Sequence, residues 1–499
     1  LKTIYSLILV SCLASSFLAC KKDHKSDPPI TPAEGSREQL TLDSLFLYAK
    51  EMYLWYDALP DYATFNPRQY ATGGNVLSNY KKDLFLITQY KINPTTGLPY
   101  EYSGYPGTPK YSFMEEGNPT AGTTGTVSLA DKGDDFGMAL TAVSDNDIRI
   151  RYVNPASASA VAGLVRGDRI VKVNGNTISS SSGSYIDAAL AGARSSVTLT
   201  VKKQDGTTSD ITLNQQDYTT NPVYKQAILT AGTQKVGYVA VSRFSALSSF
   251  KPALQNVFSS FATAGVTALV IDLRYNGGGY TQSAEELVNL VAPASLNGKV
   301  MYTEFFNTLL QNGQAPILKQ QVYLDANGNT QQFNGHTATY ADVDYSVSGN
   351  TYKFGKEGTL QTVKQVVFIV GGGTASASEL AINSLKPYLP VKLVGQQTYG
   401  KPVGFFGIKI DAYTVYMSSF SMQNANGEGD YFHGMTPELP ANDDITHDFG
   451  DPTETSLAAA LAYISGNPAG RTGSAEIKPL VHMGPSSFNG MIENRVKFK

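Results

Sequence analysis

The sequence predicts an α/β core preceded by a small β domain and a helical N-terminal segment. Three observations predict it. From Lys235 onward, apolar strand-like runs alternate with helical ones, the pattern of a sheet covered by helices. Between residues 126 and 217, short strand-like runs are separated by turn signals and one alanine-rich stretch. Before that, Leu42, Leu45, Phe46, Ala49 and Tyr53 recur at three- and four-residue spacing, the mark of a single apolar helix face.

A chain of 499 residues is expected to form two or three domains. With 42% hydrophobic residues it can bury sizeable cores. Only 16% of residues are charged and the net charge is −3, so no broad basic surface exists for nucleic acid. The two cysteines, Cys12 and Cys20, lie in the first twenty residues, which leaves the body without a disulfide or thiolate metal site.

Residues 1–20 read as a targeting segment. Lys2 is followed by an apolar stretch from Ile4 to Leu18, too short to span a bilayer comfortably, and the chain turns polar at Lys21-Lys22-Asp23. The run Phe17-Leu18-Ala19-Cys20 resembles a bacterial lipoprotein signal, which implies lipidation of Cys20 and a membrane partner through that anchor. Residues 21–37, with Pro28-Pro29 and Pro32, read as a linker. Residues 38–125 read as a helical N-terminal domain whose second half, rich in Gly, Pro and Tyr, has no period.

Residues 126–217 carry strand-like runs at Phe136-Leu140, Ile148-Val153, Arg169-Val173 and Val197-Lys202. In the run from Asn154 to Ile170 the alanine-rich piece suits a short helix, Gly163 and Gly167 suit turns, and Asn174-Gly175 is a hairpin signal. This stretch resembles a PDZ domain of the bacterial protease type. The resemblance implies that an extended peptide adds as a strand and that the loop at Phe136, Gly137 and Met138 holds its terminal carboxylate.

In residues 218–466 the runs Val236-Phe244, Val266-Leu273, Val366-Val370 and Val391-Val394 read as strands. Phe250-Phe261, Glu285-Val291, Leu380-Leu389 and Ser456-Ile464 read as helices, residues 404–424 as a hairpin and 307–362 as a polar insertion. The tail, 467–499, gives little signal. Three pieces carry chemistry. Gly371-Gly372-Gly373-Thr374-Ala375-Ser376 follows a buried strand and opens a helix, where the helix N-terminus favours developing negative charge. Asn276-Gly277-Gly278-Gly279 follows another strand, and glycines let backbone N–H groups approach a ligand. Tyr399-Gly400-Lys401 delivers a lysine, which acts as a base when burial lowers its pKa. A serine needs such a base to become a nucleophile.

Together these residues resemble the C-terminal processing (tail-specific) serine proteases, a Ser–Lys family with a PDZ domain before the catalytic core. The resemblance covers roughly residues 126–445, and the N-terminal segment is similar to that of Bacteroidetes-type members. It implies a ClpP/crotonase-like core, Ser376 (the middle serine of Thr374-Ala375-Ser376-Ala377-Ser378-Glu379) as nucleophile and Lys401 as base. Backbone N–H groups of Ala377 and Gly278 would form the oxyanion hole. It also implies unfolded or C-terminally exposed proteins as substrates, no cofactor, no metal, and a periplasmic or outer-membrane-facing location in the cell envelope. Many members carry a glutamine four residues after the lysine; here that position is Phe405. The rival reading is an inactive PDZ-type scaffold on a protease fold. Glu379 reads as a helix-start carboxylate or, since it starts the same helix as Ser376, as a polar neighbour of the lysine; Asp272 and Arg274 read as supports of the glycine turn, and His433 as structural. His336 and His447 lack metal-ligand spacing.

Overall fold

The structure, a computed structural model, describes residues 34–117, 127–190, 195–325, 328–466, 481–483, 490–493, 495 and 497–499. Residues 1–33, with Cys20 and most of the expected linker, lie outside the described residues.

At the centre is a six-stranded sheet in the order Val223–Ala231, Gln234–Val241, Ala268–Asp272, Gln365–Val370, Val391–Gly395 and Leu439–Pro440. The first pair is antiparallel and the rest run parallel, with Ala268 opposite Gln365 and Val366 opposite Val391. Successive side chains of a strand face opposite sides, and the sheet obeys this. Val239, Leu269, Ile271, Val366 and Phe368 face the helices Leu247–Ala264, Thr281–Val291 and Ala377–Leu385. Val236, Tyr238, Val270, Val367 and Ile369 face the last helix, Thr455–Ile464. Burial on both faces explains the continuous apolar runs in the sequence.

The PDZ-like region has a core of its own, built from Phe136, Met138, Leu140, Ile148, Ile150, Ile170, Val197 and Leu199 among others. Its strands Met138–Ser144, Asp147–Val153, Arg169–Val173, Ser196–Lys202 and Thr208–Asn214 form one antiparallel sheet. The hairpin at Asn174-Gly175 is present, with Lys172 opposite Thr177 and both turn residues at positive φ, 48° and 79°. The helix Gly183–Leu190 was not anticipated.

The N-terminal segment folds as helices Arg37–Met52 and Val76–Thr88. Ser36 caps the first, with Gln39 reaching back to it. Leu42, Leu45 and Phe46 belong to the same apolar cluster as the face of the central sheet that carries Val239 and Leu269. The strand Phe113–Glu116 pairs with Tyr413–Tyr416. The stretch 403–424 is two hairpin partnerships rather than one: Gly407–Ile410 with Tyr413–Tyr416, and Val403–Gly404 with Phe420–Asn424. The tail also holds strands. Val481–Met483 pairs antiparallel with Met138–Ser144, and Gly490–Ile492 pairs parallel with Gly278–Tyr280.

Candidate active site

Ser376 follows the strand Gln365–Val370 and is the N-cap of the helix Ala377–Leu385. Thr374 fixes the turn: its hydroxyl accepts from Gly371 N–H (3.0 Å) and donates to the Leu273 carbonyl (2.7 Å). Ser376 itself sits at φ 62°, ψ −113°, a region an L-residue occupies only at a cost of about 1–3 kcal/mol. Its Oγ is buried and has no hydrogen-bond partner, and the residue is 0% exposed.

Lys401 lies on the loop after Val391–Gly395 and is 1% exposed. Its Nζ is 3.4 Å from the Tyr111 carbonyl and 4.4 Å from the centre of the Phe405 ring. Burial lowers the amine pKa to about 7, against the pull of Glu101 and Glu379 and with a further push from Lys110. At neutral pH a large share of the amine is therefore unprotonated.

Glu379 joins the two loops, so it is both the helix-start carboxylate and the polar neighbour of the lysine loop that the sequence offered as alternatives. One carboxylate oxygen accepts from Ser376 N–H (2.9 Å) and Lys401 N–H (2.8 Å), the other from Gly400 N–H (2.7 Å) and the Thr398 hydroxyl. It sits one helical turn past Ser376, and its i, i+3 spacing is that of an ordinary capping box. Only the reach to residues 398–401 distinguishes it, and that is a long-range contact. Burial raises its pKa while these four donors oppose the rise.

Gly278 and Ala377 lie close together. A Cβ on Gly278 would lie 3.1 Å from Ala377 N and 2.3 Å from the Gly490 carbonyl oxygen, so only glycine fits at its φ of 110°. The Gly278 N–H donates to Asn276 Oδ1 at 2.9 Å. It is thus already engaged in this state.

In the PDZ-like region, Phe136 and Met138 point into the domain core. Gly137 adopts φ 79°, and a Cβ there would meet Ser157 at 1.9 Å. Its N–H donates to the Asp135 carboxylate at 3.0 Å, and Tyr218 bonds the same oxygen. An anionic neighbour on this N–H works against capture of a second carboxylate. The expected cradle is therefore not presented by Gly137 in this arrangement.

Asp272 and Arg274 form a buried ion network with Asp443 and Glu454 beneath the glycine turn. His433 is exposed, and its carbonyl accepts from Gln397. Among the described residues, no group of three or more His, Cys, Asp or Glu could hold a metal ion, and no helix is long and apolar enough to cross a membrane.

Comparison with known proteins agrees with this architecture. Residues 235–440 match the model of peptidase family S41 and residues 149–203 that of the PDZ domain. The chain is 27% identical over 292 residues to a chloroplastic C-terminal processing peptidase of Tetradesmus obliquus, covering 56% of this chain and 52% of that protein. It is 23% identical over 303 residues to the carboxy-terminal processing protease CtpA of Bacillus subtilis, covering 60% and 54%. The chain thus spans about half the length of the curated relatives it matches. A crystal structure of a candidate S41 protease from Bacteroides fragilis shares the fold, with a TM-score of 0.57, 22% identity, and coverage of 85% of this chain and 97% of that one. The region that carries Ser376, Lys401 and the glycine turn thus matches peptidase family S41, with a PDZ match ahead of it in the chain.

Proposed function

We propose that this protein is a serine endopeptidase that takes unfolded or C-terminally exposed protein segments through its PDZ domain and cleaves them in the α/β core. Ser376 is the nucleophile and Lys401 the base. The observation that carries the reading is the Glu379 carboxylate, which ties the backbones of Ser376 and Lys401 together while Lys401 stays buried enough to be neutral.

In the reaction, Ser376 Oγ attacks the peptide carbonyl carbon and its proton passes to Lys401 Nζ. The tetrahedral oxyanion is met by the Ala377 and Gly278 N–H groups, the latter turning from Asn276 to the incoming oxygen. The C–N bond then breaks and the ammonium gives its proton to the leaving amine. Water attacks the acyl-enzyme, Lys401 takes the water's proton, and the Ser376 ester opens with return of that proton to Oγ. Because the base must be neutral, the rate rises with pH through a midpoint near the lysine's value of about 7. A flat profile with chemistry rate-limiting contradicts a lysine base.

The finer placement is part of the same proposal. The core follows the ClpP/crotonase plan. The protein is a lipoprotein of the Bacteroidetes type, anchored through Cys20 in the cell envelope. Peptide strands dock beside Met138–Ser144 near Phe136 and Gly137. The opposing reading is a binding scaffold without activity, favoured by the unpartnered Ser376 Oγ and by Phe405 beside the lysine. Incubating wild type and Ser376→Ala with an unfolded protein separates the two. Loss of at least about 10³-fold in cleavage is expected for the variant. A wild type that binds peptides and cuts nothing selects the scaffold.

A further inference from the structure

We propose that Glu101 and Tyr111 are positioning residues for the Lys401 amine, which makes the N-terminal segment part of the catalytic apparatus. The proposal rests on the Ser376–Lys401 reading above. A neutral amine needs an acceptor for one N–H so that its lone pair can face the serine. The Phe405 ring offers only its face, 4.4 Å away. The Tyr111 carbonyl is an acceptor 3.4 Å from Nζ. It is held from both sides. The Tyr111 hydroxyl donates to the Gly400 carbonyl (2.8 Å), next to the lysine, and the Tyr111 N–H donates to Glu101 (3.3 Å).

Glu101 is fully buried and gathers donors from three parts of the chain. Ser112 contributes its N–H (2.8 Å) and hydroxyl (2.7 Å), Tyr53 its phenol (3.1 Å) and Ser418 its hydroxyl (3.0 Å). Such a hub fixes where the 111 carbonyl points. The charged and titratable groups around the amine are Glu101, Lys110 and Tyr111 from the N-terminal segment and Glu379 from the helix after Ser376. Removing the Glu101 charge favours the neutral amine.

The test is kcat and KM for an unfolded protein across pH with wild type and Glu101→Gln, both as full chains. The expected result is a midpoint about one unit lower and a kcat about 10-fold lower at the plateau, with KM unchanged. A role confined to stability would lower the melting temperature and leave the midpoint in place, which overturns the proposal. A wild type inactive at every pH overturns the Ser376 reading instead. If Glu101→Gln does not fold, Tyr111→Phe decides: a severalfold lower plateau supports the proposal and an unchanged one sinks it.

The residues after the last core helix carry a separate observation. The geometry points to Val481–Met483 and Gly490–Ile492 as a built-in ligand that fills the PDZ strand edge and covers Ser376 until a substrate strand displaces it. Val481, His482 and Met483 lie opposite Ala142, Thr141 and Leu140, antiparallel and beside the helix Gly183–Leu190. An added peptide strand takes this kind of place on a sheet edge. The segment passes on rather than ending there, which suits a loop whose Gly137 N–H is already bonded to Asp135.

At the other end, Gly490 N–H donates to Gly277 (3.0 Å) and Phe405 N–H reaches Met491 (3.4 Å). Tail strand and glycine strand pair in register, Gly490 with Gly278. A Gly278 Cβ would lie 2.3 Å from the Gly490 carbonyl oxygen and 3.1 Å from Ala377 N, which puts the tail strand beside the residue that follows the buried Ser376.

Adjacent prolines at 482 and 483 remove at least one ladder N–H whichever residue donates. The full-chain variant His482→Pro/Met483→Pro should bind an unstructured peptide with a free apolar C-terminus about 10-fold more tightly and cut unfolded protein faster. Unchanged affinity and rate overturn the proposal. If the variant misfolds, hydrogen exchange on wild type decides. Amides of 481–483 should lose protection when that peptide saturates the protein, and constant protection overturns the idea.

Discussion

The N-terminal segment and the PDZ domain both pack on the catalytic core, and they do so by opposite means. The N-terminal helices share one apolar cluster with the central sheet, reinforced by the bond from Leu54 N–H to the Ser418 carbonyl (2.8 Å). The PDZ domain keeps its own core and meets the α/β domain mainly through polar and aromatic contacts, with only Ala139 and Tyr152, among the described residues, joining the apolar cluster on the sheet's other face. Arg166 is the main one: buried, it donates to Asp443, the Tyr275 hydroxyl and the carbonyls of Asp444 and His447. Tyr152 stacks on Tyr224 beside it. An apolar seam cannot open without exposing the core, whereas a polar one can exchange its partners for water. The contrast predicts that the PDZ domain separates from the core more readily than the N-terminal segment does.

The sharpest way to break this contrast is Phe46→Ala. Phe46 is fully buried and stacked on Phe65 at 4.4 Å, so the change should cost about 3–5 kcal/mol and lower the denaturation midpoint of the core itself. Two separate transitions in urea, with only the first shifted, would show that the segment folds independently. Next in size is Arg166→Ala, at about 3 kcal/mol for a broken buried pair. Burial alone would raise the Asp443 pKa, and Arg166 and Arg274 override that, holding it well below the usual carboxylate range. The variant should release the PDZ domain, seen as faster proteolysis between the domains, while the PDZ transition keeps its own midpoint. The smallest effect is Asn174→Ala, about 1 kcal/mol from forcing alanine into the left-handed turn at φ 48°. It should appear in the PDZ transition alone, and a matching shift of the core would mean that the two domains melt as one.

Much of this organisation was legible in the sequence. The strands at 268–272 and 365–370 announced themselves as continuous apolar runs because both their faces are covered. Ser376, Lys401 and Gly278 stood out because each follows such a strand in a small-residue turn. What stayed hidden was held by long-range contacts. Glu101 and Tyr111 lie in a stretch without periodicity, and their partners Gly400, Lys401 and Ser418 are about 300 residues away. The tail strands Val481–Met483 and Gly490–Ile492 are too short to show an alternation. The bond from Gly278 N–H to Asn276 and that from Gly137 N–H to Asp135 depend on side-chain rotamers, which no spacing encodes.

Ser376 combines a left-handed backbone with a buried hydroxyl that bonds to nothing. Both features oppose folding, the second by about 1–3 kcal/mol. Glycine at 376 would relieve both at once. A search for tougher versions of this protein, scored on heat resistance alone, would therefore tend to discard the one atom on which its proposed chemistry depends.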